Sequence, residues 1–150
     1  MQSNVNGAVG PDIYRRYLAS VVQFHLAAAE ACGLGATDYQ ASSLLDLDGP
    51  MTTGQLAERL GLSPSATTRA VDRLANAGFA ERVPDEADRR RVLVRATGRQ
   101  PEQLGEILAR VQAPIAAAIT QLTPAQHDGL TAYFTAATEA YREVTTGLSA

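Results

Sequence analysis

The stretch that most constrains the fold is residues 63–76, which read Ser-Pro-Ser-Ala-Thr-Thr-Arg-Ala-Val-Asp-Arg-Leu-Ala-Asn. Ser63 is a good helix N-cap, and Pro64 suits the first helical position, where its missing N–H would have no partner. Helical periodicity places the less polar side chains on one face: Thr67, Ala70, Val71, Leu74 and Ala77. The opposite face carries Ser65, Thr68, Arg69, Asp72, Arg73 and Asn76. Such groups reach base edges and phosphates in a DNA major groove, although a solvated surface helix looks the same.

A second short helix is predicted immediately before this one. Thr52 or Thr53 provides its cap, and the helix carries Leu56, Ala57 and Leu60 before Gly61 ends it. Two short helices joined by a tight turn that contains glycine form a helix-turn-helix unit.

A β-hairpin is predicted after Gly78, which ends the helix. Residues 79–83 and 92–96 have the apolar alternation of strands. The polar loop between them reads Pro-Asp-Glu-Ala-Asp-Arg-Arg-Arg and is too long for a tight turn. The hairpin therefore adds a wing to the helix-turn-helix.

Longer helices are predicted on both sides of this centre. Apolar spacing indicates helices over 11–31 and 37–47, then one from Pro101 to about Leu122 and one over 124–148. Pro114 lies inside the third of these and is expected to kink it. Residues 1–10 are polar, contain two glycines and are predicted to form a disordered arm.

These elements predict a mainly α fold with a small β-hairpin wing, in a single domain over 1–150. Residues 38–97 form the winged helix-turn-helix lobe, and residues 11–35 and 98–150 form the outer helices. Helix-turn-helix proteins usually read two half-sites one helical turn apart, which requires two-fold symmetry. We therefore expect the outer helices to make a homodimer that binds a pseudo-palindromic double-stranded operator; a monomeric bundle that folds back on itself is the alternative.

The charge distribution agrees with a polyanion-binding centre. Residues 51–99 hold nine arginines and six acidic residues, a net charge of +3, although the whole chain has a net charge of −3. Lysine is absent, which also fits codon bias and is not evidence for DNA binding by itself. A basic centre on an acidic scaffold is typical of a nucleic-acid-binding module.

Other classes of protein have little support in the sequence. The single cysteine, Cys32, excludes an intrachain disulfide and any multi-cysteine metal site, and the chain has two histidines and no nucleophile motif. We expect no enzyme activity, no metal and no cofactor. Without an apolar run of about 18 residues or a signal pattern, we expect a cytoplasmic protein that does not bind membranes.

The chain resembles the MarR-type transcriptional regulators. The resemblance rests on Leu-Ala-Glu-Arg-Leu-Gly-Leu-Ser-Pro-Ser (56–65), Thr-Arg-Ala-Val-Asp-Arg-Leu (68–74), Gly-Phe-Ala-Glu-Arg (78–82) and Asp-Glu-Ala-Asp-Arg-Arg (85–90). The helix-turn-helix segment alone is common to many regulators, and its combination with an Asp-x-Arg wing and long terminal helices is more specific. Pro101 and Pro114 depart from the usual pattern and affect the dimer region only.

The resemblance implies a triangular homodimer and a set of DNA-contacting residues. The recognition helix supplies Ser65, Thr68, Arg69 and Arg73, and we add Ser63 and Thr67 from the same stretch. On the wing, the resemblance places Arg90 in the minor groove, with Asp88 holding it in position. Arg89 and Arg91 flank Arg90 and are expected to bind phosphates or remain solvated. Since Asp72 lies between Arg69 and Arg73, we expect it to pair with one of them.

The resemblance also implies regulation by a small ligand. Similar proteins bind aromatic or phenolic anions in a cleft between the dimer region and the DNA-binding lobe. Tyr14, Tyr17, His25 and Tyr39 would lie near such a cleft, although tyrosines at the edge of a core are the simpler interpretation. The function expected is a homodimeric repressor relieved by such an effector.

Two alternatives remain open at this level. The winged helix could be a protein-interaction module without specific DNA binding, against which the three consecutive wing arginines argue. Cys32 could act as a thiol redox sensor, since some similar proteins sense oxidants through a cysteine. His25 lies on the same helix face, but about 10 Å of helical rise separates the two, so a packed cysteine is favoured.

Overall fold

The computed structural model describes residues 10–148, so the predicted arm lies outside the described residues except for Gly10. Its elements follow the chain in this order: α1 (Pro11–Ala31), α2 (Ala36–Asp48), α3 (Thr53–Leu60), α4 (Pro64–Asn76), β1 (Ala80–Pro84), β2 (Val92–Ala96), α5 (Glu102–Ile119) and α6 (Pro124–Leu148). The two strands form one antiparallel hairpin. The predicted mainly α fold with a β-hairpin wing is confirmed.

The helix ends of the central unit follow the capping chemistry of the sequence. Thr52 caps α3 in a capping box, in which its Oγ1 accepts from the Gln55 N–H at 3.2 Å and its own N–H donates to Gln55 Oε1 at 2.9 Å. Gly61 ends α3 with φ +64°, which glycine adopts without strain. Ser63 caps α4, and its Oγ accepts from the Ala66 N–H at 3.3 Å.

Some element boundaries differ by one residue from the prediction. Helix α2 begins at Ala36, before the predicted start at Thr37, because Gly35 is its N-cap. Strand β1 begins at Ala80 and not at Phe79. The Phe79 N–H donates to the Leu74 carbonyl at 2.9 Å, so Phe79 belongs to the turn that closes α4.

An additional bridge joins the hairpin to the helices. Met51, between α2 and α3, pairs with Val94 of β2 through two backbone hydrogen bonds of 3.0 and 2.8 Å. No pattern in the sequence predicted this bridge. It fixes the hairpin against the start of α3, so the wing and the helix-turn-helix form one packed unit.

The buried residues form two apolar clusters. The first fills the centre of the winged helix and consists of Ala41, Leu45, Met51, Leu56, Val71, Leu74, Ala80 and Val94. The second lies where α1, α2 and α5 meet and consists of Ala28, Ala29, Tyr39 and Leu104. Helix α2 contributes to both clusters, so it links the outer helices to the helix-turn-helix.

The outer helices leave much apolar surface open in the single chain. Pro101 is the N-cap of α5 and not its first residue, and the helix continues through Pro114. Thr123 caps α6 in a reciprocal pair with Gln126. None of the described residues of α6 is buried. Large apolar side chains exposed on α1, α5 and α6 include Ile13, Tyr17, Val22, Leu26, Ile115, Tyr133, Phe134, Tyr141, Val144 and Leu148.

Among residues 10–148, no single helix is long and apolar enough to cross a membrane. By length and composition alone, the bent pair Asp12–Ala31 and Ala36–Asp48, which meets at 101°, passes the same test jointly.

Candidate nucleic-acid interface

Helix α4 presents a polar face because its apolar side is packed into the first cluster. Ala70, Val71 and Leu74 are each 0–1% exposed, whereas Ser65, Thr68 and Arg69 are exposed. Ala77 was expected on the packed face, but it is the exposed C-cap residue. The helix ends at Asn76, so helical periodicity no longer sets the direction of the Ala77 side chain.

Thr67 is a correction to the predicted DNA-contacting set. Its side chain is fully buried, and its Oγ1 donates to the Ser63 carbonyl at 3.1 Å. A buried hydroxyl that already has a backbone partner cannot reach a groove, so Thr67 stabilises the first turn of α4. The Thr68 hydroxyl also donates to a backbone carbonyl, that of Pro64 at 2.9 Å, but this side chain is exposed.

Arg73 is held by a carboxylate of another helix. Its Nε and Nη2 donate to Oδ2 and Oδ1 of Asp38 at 2.7 and 2.6 Å. The Asp38 side chain is only 7% exposed, while that of Arg73 is 55% exposed. The hydrogen bond to Asp38 raises the pKa of the Arg73 guanidinium above its ordinary value. The pair joins the first turn of α2 to the last turn of α4.

Asp72 pairs with neither of the two arginines of its own helix. Its Oδ1 accepts from Nη2 of Arg82, on β1, at 2.7 Å. The expectation that Asp72 holds Arg69 or Arg73 is therefore wrong. Asp72 lies on the side of α4 that is next to β1, so its partner is an arginine of that strand and not of its own helix. The pair connects the recognition helix to the base of the wing.

Arg69 is the exposed arginine of α4 that has no ion pair with any described residue. Among residues 10–148, no carboxylate lies within 4 Å of its guanidinium, unlike those of Arg73 and Arg82. The Ser65 hydroxyl, one turn earlier on the same face, lies 3.3 Å from the Ser63 hydroxyl. The face thus offers one free guanidinium and three exposed hydroxyls.

The tip of the wing brings Asp88 and Arg90 together, as the resemblance implied. Oδ1 of Asp88 accepts from the backbone N–H of Arg90 at 3.1 Å and from its Nε at 3.2 Å. The Arg90 side chain is still 90% exposed. Hydrogen bonds from Arg90 hold the pKa of Asp88 below its ordinary value of 3.8. Asp88 therefore orients a guanidinium that projects into solvent.

The arginines on either side of Arg90 have different surroundings. Nη1 of Arg91 lies 3.7 Å from Oδ2 of Asp85, at the start of the loop. The Arg91 backbone also closes this loop, since its N–H donates to Asp88 and its carbonyl accepts from Asp85. Arg89 is exposed and has no ion pair with any described residue.

Two of the four predicted ligand-binding residues meet in one pocket. Nδ1 of His25 and the hydroxyl of Tyr39 are 2.9 Å apart at a pocket of about 410 Å³ between α1 and α2. Its other lining residues are Val21, Val22, Leu26, Ala36 and Gln40. Burial, and secondarily the nearby Cys32, raises the pKa of Tyr39 above 10, so its phenol stays protonated at neutral pH. The pocket combines apolar walls with a hydroxyl and an imidazole.

Tyr14 and Tyr17 do not join this pocket. They precede His25 by eleven and eight residues on α1, which corresponds to roughly 16 and 12 Å of helical rise. The Tyr14 hydroxyl instead contacts that of Tyr141 on α6, which raises the pKa of Tyr141, and its ring lies edge-on to Tyr133. The Tyr17 side chain is 49% exposed.

Cys32 is the half-buried C-cap of α1 and packs against the second cluster.

The described residues contain no group of three or more His, Cys, Asp or Glu side chains that could hold a metal ion.

Sequence reasoning missed two residues of the interface. Asp38 was interpreted only as part of the start of α2. Arg82 was interpreted as a strand residue and as the end of the Gly-Phe-Ala-Glu-Arg motif (78–82), without a partner. An aspartate in the first helical turn is commonly explained by the helix dipole, so nothing in its local pattern points to Arg73. For Arg82, the signal was Asp72. An acidic residue on an otherwise cationic face indicates that an arginine lies nearby.

Comparisons with known proteins agree with this architecture. Residues 43–92 match the model of the MarR family. The HTH-type transcriptional regulator YcgE of Bacillus subtilis is 44% identical over 82 residues, which cover 55% of this chain and 53% of YcgE. The chain thus matches about half the length of that relative.

Solved structures extend the likeness to most of the chain. A MarR family transcriptional regulator from Silicibacter pomeroyi superposes with a TM-score of 0.65 at 25% identity, over 97% of this chain and 95% of that one. S. aureus MepR, in a structure of a point mutant bound to an oligodeoxyribonucleotide, has a TM-score of 0.56 at 15% identity over 86% and 95%. At that identity, MepR shows a shared fold.

The hairpin packed on two short helices defines a winged helix-turn-helix protein. Residues 43–92 of this unit match the MarR family, and the MarR family regulator from Silicibacter pomeroyi is similar in fold over most of the chain. Both YcgE and the Silicibacter pomeroyi protein are named as transcriptional regulators.

Proposed function

We propose that this protein is a sequence-specific DNA-binding regulator of transcription, acting in the cytoplasm. The observation that carries the proposal is the pairing of two exposed cationic elements on one packed unit. Helix α4 offers Arg69 with exposed hydroxyls, and the wing offers Arg90 at 90% exposure. The oligodeoxyribonucleotide bound to MepR, which shares the fold, supports DNA as the partner.

Each element suits a different groove. An α-helix fits the major groove, where arginine, serine and threonine side chains reach base edges. A guanidinium at the tip of a hairpin suits the negative potential of a narrow minor groove. In this assignment Ser63, Ser65, Thr68 and Arg69 face the major groove, Arg90 enters the minor groove, and Arg89 and Arg91 lie near phosphates. The net charge of +3 over residues 51–99 favours such contacts.

The outer helices support a homodimer as the DNA-binding form. Tyr133, Phe134, Tyr141, Val144 and Leu148 lie on one stripe of α6 and are 44–82% exposed in the single chain. Exposed apolar patches of this kind mark protein–protein interfaces, and α1 adds Ile13, Tyr17, Val22 and Leu26. We infer that residues 11–35 and 98–150 form the dimer region and residues 38–97 the DNA-binding lobe. Two lobes related by a two-fold axis would read a pseudo-palindromic operator.

The pocket at His25 and Tyr39 supports regulation by a small aromatic or phenolic ligand. Its apolar walls would pack against a ring, and the imidazole and hydroxyl would hydrogen-bond a phenol or a carboxylate. Tyr39 follows Asp38, which binds Arg73 of α4. The first turn of α2 therefore contacts both the pocket and the recognition helix. A ligand that shifts this turn would move α4, so we propose a repressor whose DNA affinity falls when the pocket is filled.

Selection from a pool of random duplexes tests the proposal. The protein should enrich a pseudo-palindromic motif with half-sites about one helical turn, roughly 10 base pairs, apart. A pool that acquires no motif after repeated rounds would contradict the proposal and would favour a protein-interaction module. The variant Arg90→Ala, which changes only an exposed wing residue, should enrich its duplexes more weakly than the wild type.

A further inference from the structure

We infer that Arg69 is the only guanidinium of α4 that reads a base, and that Arg73 and Asp72 fix the helix from its two sides. This inference rests on the proposed function, because it assigns which residue of the recognition helix sets the DNA sequence preference. The resemblance placed Arg69 and Arg73 together on the DNA-facing surface. The structure distinguishes them by position on the helix and by partner, since Asp38 binds Arg73.

The positions of the three residues around the helix differ. At about 100° per residue, Arg69 and Asp72 both lie within about 35° of the direction opposite the buried line formed by Ala70, Val71 and Leu74. Arg73 is rotated from Arg69 by about 40° toward α2, and Asp72 by about 60° toward β1. Arg69 and Asp72 therefore both point away from the lobe, whereas Arg73 lies on the flank toward α2. Arg69 and Asp72 differ in their partners, because the Asp72 carboxylate is bound by Arg82 of β1.

The flank toward α2 is held by Asp38. Both carboxylate oxygens of Asp38 are used by Arg73, and the Asp38 side chain is only 7% exposed. If Arg73 swung out to a base edge, this buried carboxylate would lose its cation, and an unpaired buried charge is costly. The pair consequently keeps Arg73 on the side of α4 that contacts α2.

The flank toward the wing is held by the pair of Asp72 with Arg82, at 2.7 Å. Arg82 belongs to β1, which continues toward the loop that carries Arg90. This contact neutralises the one carboxylate on the DNA-facing side of α4. The contact also fixes the position of α4 relative to the wing, so the two elements would bind the duplex as one rigid unit.

Arg69 is left with its full set of donors. It lies one turn after Ser65 on the exposed face, and no described carboxylate is within 4 Å of it. A free planar guanidinium is the group that binds O6 and N7 of guanine in the major groove. Arg69 would thus prefer a guanine at one position of each half-site.

Parallel duplex selections with Arg69→Gln and Arg73→Gln test this division of roles. The two variants make the same change on the same helix, four residues apart, so each is the matched control for the other. Arg69→Gln should lose or change the base preference at one position per half-site, by about 5- to 150-fold in discrimination. Arg73→Gln should return the wild-type motif, with weaker overall binding.

A third variant, Arg73→Lys, guards against a folding defect in Arg73→Gln. Lysine keeps a cation beside Asp38 but lacks the bidentate fork, so it should return the wild-type motif unless Arg73 itself reads a base. A motif altered at one position by Arg73→Lys, or unaltered by Arg69→Gln, would overturn the inference. A wild-type protein that selects no motif would instead refute the proposed function, so the two failures are distinguishable.

Discussion

Arg73 of the recognition helix donates two hydrogen bonds to the carboxylate of Asp38, at 2.7 and 2.6 Å, across 35 positions of the chain. This pair connects α4, the proposed DNA-binding helix, with α2, which lines the His25–Tyr39 pocket. Because the carboxylate is almost fully buried, the contact also contributes to stability.

Replacing Asp38 should destabilise the fold more than replacing Asp72. Asp38→Asn removes the charge that binds Arg73 and leaves imperfect hydrogen bonds at a buried site, so we expect a loss of roughly 2 kcal/mol. Asp72→Asn breaks an exposed pair of the same chemistry, which is worth at most about 1 kcal/mol. Urea unfolding measures both, and equal losses would contradict the importance assigned to Asp38.

The wing makes a prediction about the pKa of Asp88. The pKa of this carboxyl is lowered in the folded protein, so its contact with Arg90 is complete at neutral pH and is lost as the pH falls through the lowered pKa. In Arg90→Ala, the pKa of Asp88 should rise toward 3.8. Carboxyl-carbon NMR titration gives the value directly.

Arg89→Ala is the control for this titration. It removes a neighbouring charge that makes no hydrogen bond to Asp88, so it should leave the pKa of Asp88 nearly unchanged. If both variants raised this pKa equally, a general electrostatic effect would replace the specific contact with Arg90.

The apolar stripe of α6 makes a prediction about assembly. Val144→Glu places a charge within the stripe and should shift the protein from dimer to monomer in analytical ultracentrifugation at micromolar concentration. Thr135→Glu places the same charge on the opposite side of α6, where Thr135 is exposed, and should remain dimeric. A wild-type protein that sediments as a monomer would contradict the dimer outright.

The pocket makes a prediction about regulation. A phenolic acid such as 4-hydroxybenzoate, titrated in the millimolar range, should weaken DNA binding by the wild type. Val21→Phe would fill the pocket from its apolar wall, and it should lower the sensitivity to the phenolic acid while His25 and Tyr39 stay unchanged. If none of a panel of phenolic and other aromatic acids changed the DNA affinity, this part of the proposal would be refuted.

Much of the fold could be predicted because it depends on local chemistry. Ser63, Thr52 and Gly61 mark helix ends through caps that involve only their near neighbours. The packed face of α4 follows from helical periodicity, and Ala77 departs from it only where the helix has ended. The contact at the tip of the wing was also predicted, because the resemblance placed Asp88 and Arg90 in an Asp-x-Arg motif.

The contacts that position the candidate site could not be predicted in the same way. Asp38 and Arg73 are 35 positions apart, and no local pattern pairs them. The partner of Asp72 could be predicted only by knowing which element packs beside that side of α4. The element is β1, and the partner is its residue Arg82. Tyr14 and Tyr17 were grouped with His25 because the resemblance implied a ligand cleft near all three, but helical rise separates them from the pocket.

The proposed function requires that the protein recognise a specific duplex through charged contacts. The most direct test measures its affinity for the selected duplex and for a scrambled duplex of the same length, over a range of salt concentrations. Each affinity should fall with salt with a log–log slope of about −0.9 per phosphate neutralised, and the selected duplex should bind more tightly throughout. Equal affinities for the two duplexes, or binding that does not respond to salt, would contradict the proposed function.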